Sequence, residues 1–136
     1  MCKAEEAELI KNGGNVFLAM KVVYMNLLYD VAQRVGADYE VIAQTMVADS
    51  RIGDSHMRVV DTSGHSGSIP GRGAGGHCFP KYLAALRELY EKQLADDATG
   101  CDLLRLLEQK NRELLEQSGK DLDLLAGIYG DTTAVR

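Results

Sequence analysis

The longest regular pattern of apolar and polar positions lies at the start of the chain and predicts one helix over residues 4–35. Apolar residues recur there at spacings of three, four and seven, the segment has no proline, and Gly36 can end it. The recurring residues are Ile10, Phe17, Tyr24, Leu28, Val31 and Val35. At 1.5 Å per residue this helix would be about 48 Å long, which is more than a small domain needs.

A second apolar row on the same helix, formed by Leu18, Met25 and Ala32, makes more than one side of it apolar. Burial against more than this chain is therefore expected, and a partner subunit is the simplest explanation. Gly13 and Gly14 each cost about 1 kcal/mol relative to alanine inside a helix, so some group should approach closely there. Two explanations stay open, a tight crossing of helices or the approach of another group.

The rest of the chain predicts three or four shorter helices and no convincing strand, so the fold class is all-α. These helices run from a cap at Asp38 to about Ala48, from Pro80 to about Lys92, from Cys101 to about Gln117, and over residues 121–128. The residues expected to face inward are Val41, Ile42, Thr45 and Met46 on the second helix, and Leu83, Leu86, Leu89 and Tyr90 on the third. No glycine fingerprint lies between a strand and a helix, so this chain has no dinucleotide-binding fold of its own.

A long loop over residues 49–79 separates the second and third helices and contains seven glycines. Loops of this length inside a compact domain are usually functional or disordered, and this one leads to Cys78. Gly73, Gly75 and Gly76 permit positive φ and close approach of a ligand. Pro80 can start a helix, whose positive end stabilises negative charge on the Cys78 sulfur and so favours the nucleophilic thiolate.

A single cysteine is more often structural than catalytic, but the glycines and the Cys-Phe-Pro-Lys continuation favour Cys78 as a nucleophile. Phe79 is expected in the core, and Lys81 is either solvated or a ligand for an anionic substrate. His77 is of interest because an imidazolium beside a thiol favours the thiolate. The other two histidines, His56 and His65, are expected to be surface or loop-stabilising residues.

Two further polar groups could take part in chemistry. Lys11 and Asn15 lie four residues apart on one face of the long helix, where a cation and an amide can stabilise an oxyanion or position water. The alternative is a solvated polar spot near the start of the helix. Arg51, within Asp-Ser-Arg-Ile-Gly at 49–53, has a guanidinium suited to phosphate or sugar hydroxyls, although a surface arginine is the default expectation.

Composition narrows the classes of partner. Fifteen basic and twenty acidic residues leave a formal charge of −5, and no basic run is present, so a nucleic-acid partner is not expected. The apolar run over residues 16–32 is broken by Lys21, Asn26 and Asp30, so no membrane span is expected. Three cysteines without paired spacing fit a reducing cytoplasm, and with the histidines they form no metal-binding pattern.

Three motifs, in order, resemble the central domain of the UDP-glucose/GDP-mannose dehydrogenase family. They are Ala-Glu-Leu-Ile-Lys-Asn-Gly-Gly-Asn-Val-Phe-Leu-Ala at 7–19, Asp-Ser-Arg-Ile-Gly at 49–53 and Gly-Gly-His-Cys-Phe-Pro-Lys at 75–81. Members of this family oxidise C6 of a nucleotide sugar from alcohol to carboxylate, using NAD and a covalent thioester on a cysteine. The resemblance covers most of the chain and implies a homodimer formed through the helix at residues 4–35.

The resemblance also implies roles for individual residues. Cys78 matches the family nucleophile, and Lys11 and Asn15 match the lysine and asparagine that stabilise the oxyanion and hold water. Arg51 matches an arginine that reaches the sugar in the neighbouring subunit's site. The substrate-binding residues implied in the cysteine motif are Gly75, Gly76, Phe79 and Lys81.

Two departures from the family bear on activity. Tyr82 stands where the family has an aspartate that assists hydrolysis, and a phenol does not replace a carboxylate base near neutral pH. Residues 1–136 correspond to a single central domain, without the family's N-terminal NAD-binding and C-terminal nucleotide-sugar-binding domains. The isolated chain is therefore expected to bind no NAD and to be inactive. The alternatives are a dimeric binding or scaffold module descended from such an enzyme, and a helical thiol protein in which Cys78 senses redox state.

Overall fold

The computed structural model describes residues 2–130, which form five helices and one two-stranded sheet. The helices are α1 (Ala4–Val35), α2 (Tyr39–Met46), α3 (Phe79–Gln93), α4 (Ala98–Ser118) and α5 (Leu122–Tyr129), and the strands are β1 (Val60–Asp61) and β2 (Gly71–Arg72). The all-α class is confirmed. The antiparallel strand pair was not predicted, because two residues per strand are too few for an alternating pattern.

Helix α1 has the predicted bounds, and both of its ends are capped. The backbone N–H of Lys3 donates to the Glu6 carboxylate at 2.8 Å, which fixes the chain where the helix begins. Gly36 ends the helix in the left-handed conformation, and its N–H donates to the carbonyls of Ala32 and Gln33. One helix therefore carries Lys11 and Asn15 near its start and the buried residue Ala32 near its end.

Side chains cap the starts of α2 and α4. The Asp38 carboxylate accepts from the Glu40 N–H at 2.9 Å, as predicted for the start of α2. Asp97 accepts from the Gly100 N–H at 3.0 Å, so α4 begins three residues before the predicted Cys101. Asp121 adopts a left-handed conformation with φ of 54°, so α5 begins one residue later than predicted.

Two clusters form the core. One lies between α1, α2 and the following loop and consists of Met25, Ala32, Tyr39, Ala43, Met57 and Val59; the other consists of Ala19, Val22 and Ala74, with Phe79 packed against it. The second apolar row of α1 is thus buried at Met25 and Ala32. Phe79 lies against the core, as expected, and this contact ties the start of α3 to α1.

The predicted inner faces of α2 and α3 are wrong at three positions. Val41 is 60% exposed, Thr45 is exposed and Leu89 is 39% exposed. Tyr39 and Ala43 are the buried residues of α2 instead, because the Tyr39 hydroxyl donates to the Met57 carbonyl at 2.6 Å and sets the rotation of this short helix.

The first apolar row of α1 faces away from the core except at Leu28, which packs against it. Ile10, Phe17, Tyr24 and Val31, spaced by seven, are between 57% and 68% exposed. Gly13 and Gly14 lie beside this row, and a Cβ added at either would meet no atom of the described residues within 4 Å. A tight crossing with another helix of this chain is thereby excluded for residues 2–130, and an approach from outside the chain remains.

Candidate active site around Cys78

Cys78 is exposed and immediately precedes α3. Its carbonyl accepts from the Tyr82 N–H at 2.9 Å, which closes the first turn of the helix. Pro80 is buried in this first turn, where a missing N–H leaves no hydrogen bond unmade. The thiol is therefore held at the positive end of a 15-residue helix, in contact with solvent, as the sequence predicts.

The glycines before Cys78 serve two purposes. Gly73 and Gly76 have φ of 96° and 80°, the left-handed region that side chains disfavour. At Gly75 the constraint is close approach, since a Cβ there would lie 2.2 Å from Asp121 Oδ2 and 2.7 Å from Ser63 Oγ. The loop can therefore pass between residues 63 and 121 only without a side chain at this position.

Two buried residues of α4 and the turn after it hold the backbone of this loop. Asn111 accepts from the Ala74 N–H at 2.7 Å and donates to the Ala74 carbonyl at 2.9 Å. Lys120 donates to the Gly73 carbonyl at 3.0 Å, and burial lowers the pKa of Lys120. Neither residue was predicted. The available signal was an asparagine among the leucines of α4, which marks a polar group directed into the core.

Asp121 joins the loop to His65. Its buried carboxylate accepts from the Gly76 N–H at 2.7 Å, from His65 Nε2 at 2.9 Å and from the Ser63 hydroxyl. Burial alone would raise the pKa of Asp121. The hydrogen bonds favour the carboxylate more strongly, so the net effect is a lowered pKa of Asp121. The hydrogen bond to the Ser66 carbonyl, followed by the one to Asp121, raises the pKa of His65. No pattern in the sequence predicted this role of Asp121.

The raised pKa of His65 predicts a pH dependence of stability. A group whose pKa is raised by folding stabilises the fold fully below its unfolded pKa, about 6.5 for histidine, and loses that contribution as the pH rises through the folded value. Urea denaturation at pH 5.5, 7.0 and 8.5 should therefore show a decline in the free energy of unfolding that is smaller in His65→Gln. An equal decline in the parent and in His65→Gln would contradict the pairing of His65 with Asp121.

Helix α1 lies on the other side of Cys78. Asn15 and Cys78 line one cavity of about 390 Å³. The Lys11 Nζ lies 5.4 Å from the centroid of the Tyr82 ring. Hydrogen bonding with Tyr82, and then charge attraction to Tyr82 and Cys78, raises the pKa of Lys11, so its ammonium form is favoured. The three predicted catalytic residues, Cys78, Lys11 and Asn15, are thus brought together, although they are more than 60 positions apart in the chain at their widest.

The predicted substrate-binding residues are distributed differently. Gly75, Gly76 and Phe79 line the same cavity as Cys78, and Lys81 is exposed in the first turn of α3. Arg51 does not line this cavity. Its exposed side chain pairs with Asp49 at 2.5 Å, and that hydrogen bond lowers the pKa of Asp49.

Lys21 holds the segment that carries Arg51. It reaches from α1 and donates to the carbonyls of Ile52 and Gly53 at 2.9 and 3.2 Å. Its ammonium group therefore fixes the loop. The guanidinium of Arg51 is exposed and does not line the Cys78 cavity of its own chain.

The described residues form no dinucleotide site of the Rossmann type. The sheet in residues 2–130 consists of two antiparallel strands, whereas a Rossmann site uses a parallel sheet, a glycine-rich turn and a helix. Within the same residues no group of three or more His, Cys, Asp or Glu side chains could hold a metal ion. No helix in the described part of the chain is both long enough and apolar enough to cross a membrane.

Comparison with known proteins agrees with the three sequence motifs. The model of the UDP-glucose/GDP-mannose dehydrogenase family, central domain, matches residues 5–113. UDP-glucose 6-dehydrogenase YwqF of Bacillus subtilis is 32% identical over 130 residues, 95% of this chain and 26% of the relative. UDP-glucose 6-dehydrogenase of Rhizobium meliloti is 39% identical over 80 residues, 59% of this chain and 16% of the relative.

The chain belongs to the UDP-glucose/GDP-mannose dehydrogenase family and corresponds to its central domain. A UDP-glucose 6-dehydrogenase of Rickettsia felis is 31% identical over 107 residues, which are 79% of this chain and 20% of the relative. The chain thus spans about a quarter or less of the curated relatives it matches. The resemblance inferred from the three motifs is confirmed.

Proposed function

We propose that this chain is the dimerisation and partial active-site domain of an NAD-dependent nucleotide-sugar 6-dehydrogenase that oxidises a C6 alcohol to a carboxylate. The observation that carries the proposal is the convergence of the Cys78 thiol with Asn15 in one cavity and with Lys11 beside it. A nucleophile, a cation and an amide are the groups needed to form and stabilise a tetrahedral adduct at a carbonyl carbon.

The residues present account for the covalent part of the reaction. The Cys78 thiolate adds to the C6 carbonyl of the aldehyde, and the carbonyl oxygen takes the negative charge. Lys11, in its ammonium form, and the amide N–H of Asn15 stabilise that oxyanion. After oxidation to a thioester, water attacks the acyl carbon, the carbon–sulfur bond breaks, and the carboxylate and the Cys78 thiolate are released.

Both oxidations require NAD, for which the described residues form no site of the Rossmann type, so NAD would be bound outside this chain. The isolated chain is accordingly proposed to be inactive. The relatives named above are UDP-glucose 6-dehydrogenases, which makes UDP-glucose the first substrate to test. Gly75, Gly76, Phe79 and Lys81 would contact the sugar from the Cys78 side.

The exposed row on α1 supports the proposed homodimer. Residues 10, 17, 24 and 31 repeat with the period of a helix that packs along a second helix, and Met20 and Leu27 widen the apolar surface. Gly13 and Gly14 leave space for the close approach of a partner backbone. Such a dimer would allow the outward-facing Arg51 of one chain to reach the substrate of the other.

The dimer predicts a specific effect of Phe17→Asp. Phe17 is 67% exposed in the single chain, so the fold should tolerate aspartate there, whereas a carboxylate buried between two helices would dissociate the dimer. Val41→Asp is the matched control, because Val41 is 60% exposed on α2. Sedimentation velocity should show a dimer for the parent and for Val41→Asp, and a monomer for Phe17→Asp. A monomeric parent would remove the dimer from the proposal.

The function is tested by placing this chain in an enzyme. The central domain of full-length B. subtilis YwqF is replaced by residues 1–130, and NADH formation with UDP-glucose is measured. The proposal predicts activity of the hybrid and none of the isolated chain. If the chain is instead a binding or scaffold module, the hybrid will fold and dimerise without forming NADH.

A further inference from the structure

The cavity that contains Cys78 holds few groups able to transfer a proton. Among the described residues that line it, the titratable side chains are those of Cys78, His65 and His77. The Asp121 carboxylate is buried behind this lining and already accepts hydrogen bonds from Gly76, His65 and Ser63. Any residue that activates water against an acyl group on Cys78 from within this chain must therefore be a histidine.

His65 cannot be that residue. Its Nδ1 lies 3.0 Å from the Ser66 carbonyl oxygen and its Nε2 lies 2.9 Å from an Asp121 carboxylate oxygen. Both partners are acceptors, so both contacts are hydrogen bonds only when both ring nitrogens carry hydrogen. The raised pKa of His65 agrees with this form. With both ring nitrogens engaged by these partners, His65 has none free to accept a proton from water.

His77 has the properties that His65 lacks. It is exposed at the cavity, is adjacent to Cys78 in the chain, and makes no ring hydrogen bond to any other residue in 2–130. Its ring lies 5.3 Å from the His65 ring, centroid to centroid, at an angle of 61°. This edge-to-face contact restricts the His77 ring while leaving its nitrogens accessible to water.

The first turn of α3 supplies no competing base. Tyr82 occupies the position in that turn that faces α1, where the Lys11 Nζ lies 5.4 Å from the centroid of its ring. A phenol beside a cation is a poor acceptor of a proton from water near neutral pH. The carboxylates of Asp121 and Asp123 raise the pKa of His65.

We propose that His77 is the residue that accepts the proton of water during hydrolysis of an acyl group on Cys78, and that His65, held by Asp121, positions the His77 ring. The inference rests on the proposed function, since it requires an acyl-cysteine at residue 78. Water attacks the acyl carbon as its proton passes to a His77 nitrogen. The carbon–sulfur bond then breaks, releasing the carboxylic acid and the Cys78 thiolate, and no oxidant is needed.

The test uses the full chain carrying Cys2→Ser, which removes the other exposed thiol. p-Nitrophenyl acetate transfers an acetyl group to Cys78 with loss of p-nitrophenolate, and loss of the acetyl group from the Cys78 peptide is followed by mass spectrometry. General base catalysis typically contributes a factor of 10² to 10⁴, so His77→Gln should slow deacetylation by about 100-fold. The matched reference is acetyl-Cys2 in a Cys78→Ser chain, an exposed thioester far from any of the three histidines in sequence.

The pH profile separates catalysis from positioning. The titratable groups beside the two rings are Cys78, Asp121 before α5 and Asp123 within α5. In the parent, deacetylation should rise with pH through one ionisation and then level. His77→Gln should abolish that inflection. His65→Gln should lower the rate but retain the inflection. Imidazole added to His77→Ala should restore deacetylation, which a chain that had merely lost its structure would not show.

Three outcomes would overturn the inference. Deacetylation of His77→Gln within twofold of the parent rate excludes His77 as the base, and so does failure of imidazole to restore the rate in His77→Ala. If p-nitrophenyl acetate does not acetylate Cys78, the acyl-cysteine that the inference requires does not form. Dehydrogenase activity of the YwqF hybrid is measured separately, so an active hybrid with an unaffected His77→Gln variant refutes this inference and leaves the proposed function standing.

Discussion

Gly75→Ala will lower the free energy of unfolding of this chain by about 3 kcal/mol and remove the reactivity of Cys78, because the new methyl group has no space. Its carbon would lie 2.2 Å from Asp121 Oδ2 and 2.7 Å from Ser63 Oγ. Neither atom can move freely, since each is hydrogen-bonded within the cluster that also holds the Gly76 N–H. The loop must shift, and Cys78 must shift with it.

The same substitution elsewhere provides the control. A Cβ at Gly127, in α5, would meet no atom of the described residues within 4 Å, and alanine is about 1 kcal/mol better than glycine inside a helix. Gly127→Ala should therefore stabilise the chain slightly while Gly75→Ala destabilises it. Urea denaturation gives both values, and the rate of Cys78 alkylation by iodoacetamide gives the effect on the site. Equal stability of the two variants would show that the loop does not pass between residues 63 and 121 as described.

Local signals were sufficient to predict much of this fold. The bounds of α1 follow from an uninterrupted apolar period and Gly36, and the position of Cys78 before α3 follows from the glycines and Pro80. Lys11 and Asn15 could be paired because four residues make one helical turn. The meeting of that pair with Cys78 was implied by family resemblance, because no local pattern relates positions 15 and 78.

The supports of the loop could not be predicted, because they depend on contacts between distant parts of the chain. Asn111 accepts a hydrogen bond from Ala74, which lies 37 positions earlier in the chain. Asp121 accepts one from Gly76, which lies 45 positions earlier. The exposure of Val41 likewise depends on the anchoring of Tyr39 by Met57, 18 positions later. His65 has hydrogen-bond partners at both ring nitrogens for the same reason, so its place in the loop was predictable but its pairing with Asp121 was not.

Cys78→Ser will abolish dehydrogenase activity of the YwqF hybrid, with the largest effect expected of any single substitution. A serine hydroxyl remains protonated near neutral pH and becomes a nucleophile only beside a general base. The Lys11 ammonium group and the Asn15 amide remove no proton, and the His77 ring, proposed above to accept a proton from water, makes no hydrogen bond to residue 78 among the described residues. A loss of at least about 1,000-fold in kcat is therefore expected, comparable to other losses of a covalent nucleophile.

Two cysteines in the same chain serve as controls. Cys2 is exposed before α1 and Cys101 is buried in α4, and neither lines the Cys78 cavity. Cys2→Ser should leave NADH formation unchanged. Cys101→Ala could reduce the amount of folded hybrid, so activity is expressed per folded protein, measured by circular dichroism.

The decisive measurement is NADH formation from NAD and UDP-glucose by the hybrid enzyme, with Cys78→Ser compared directly with Cys2→Ser. The central claim, that Cys78 is the nucleophile of a nucleotide-sugar dehydrogenase, predicts activity in the parent hybrid and in Cys2→Ser and none above background in Cys78→Ser. A Cys78→Ser hybrid that retains kcat within tenfold of its parent would contradict it.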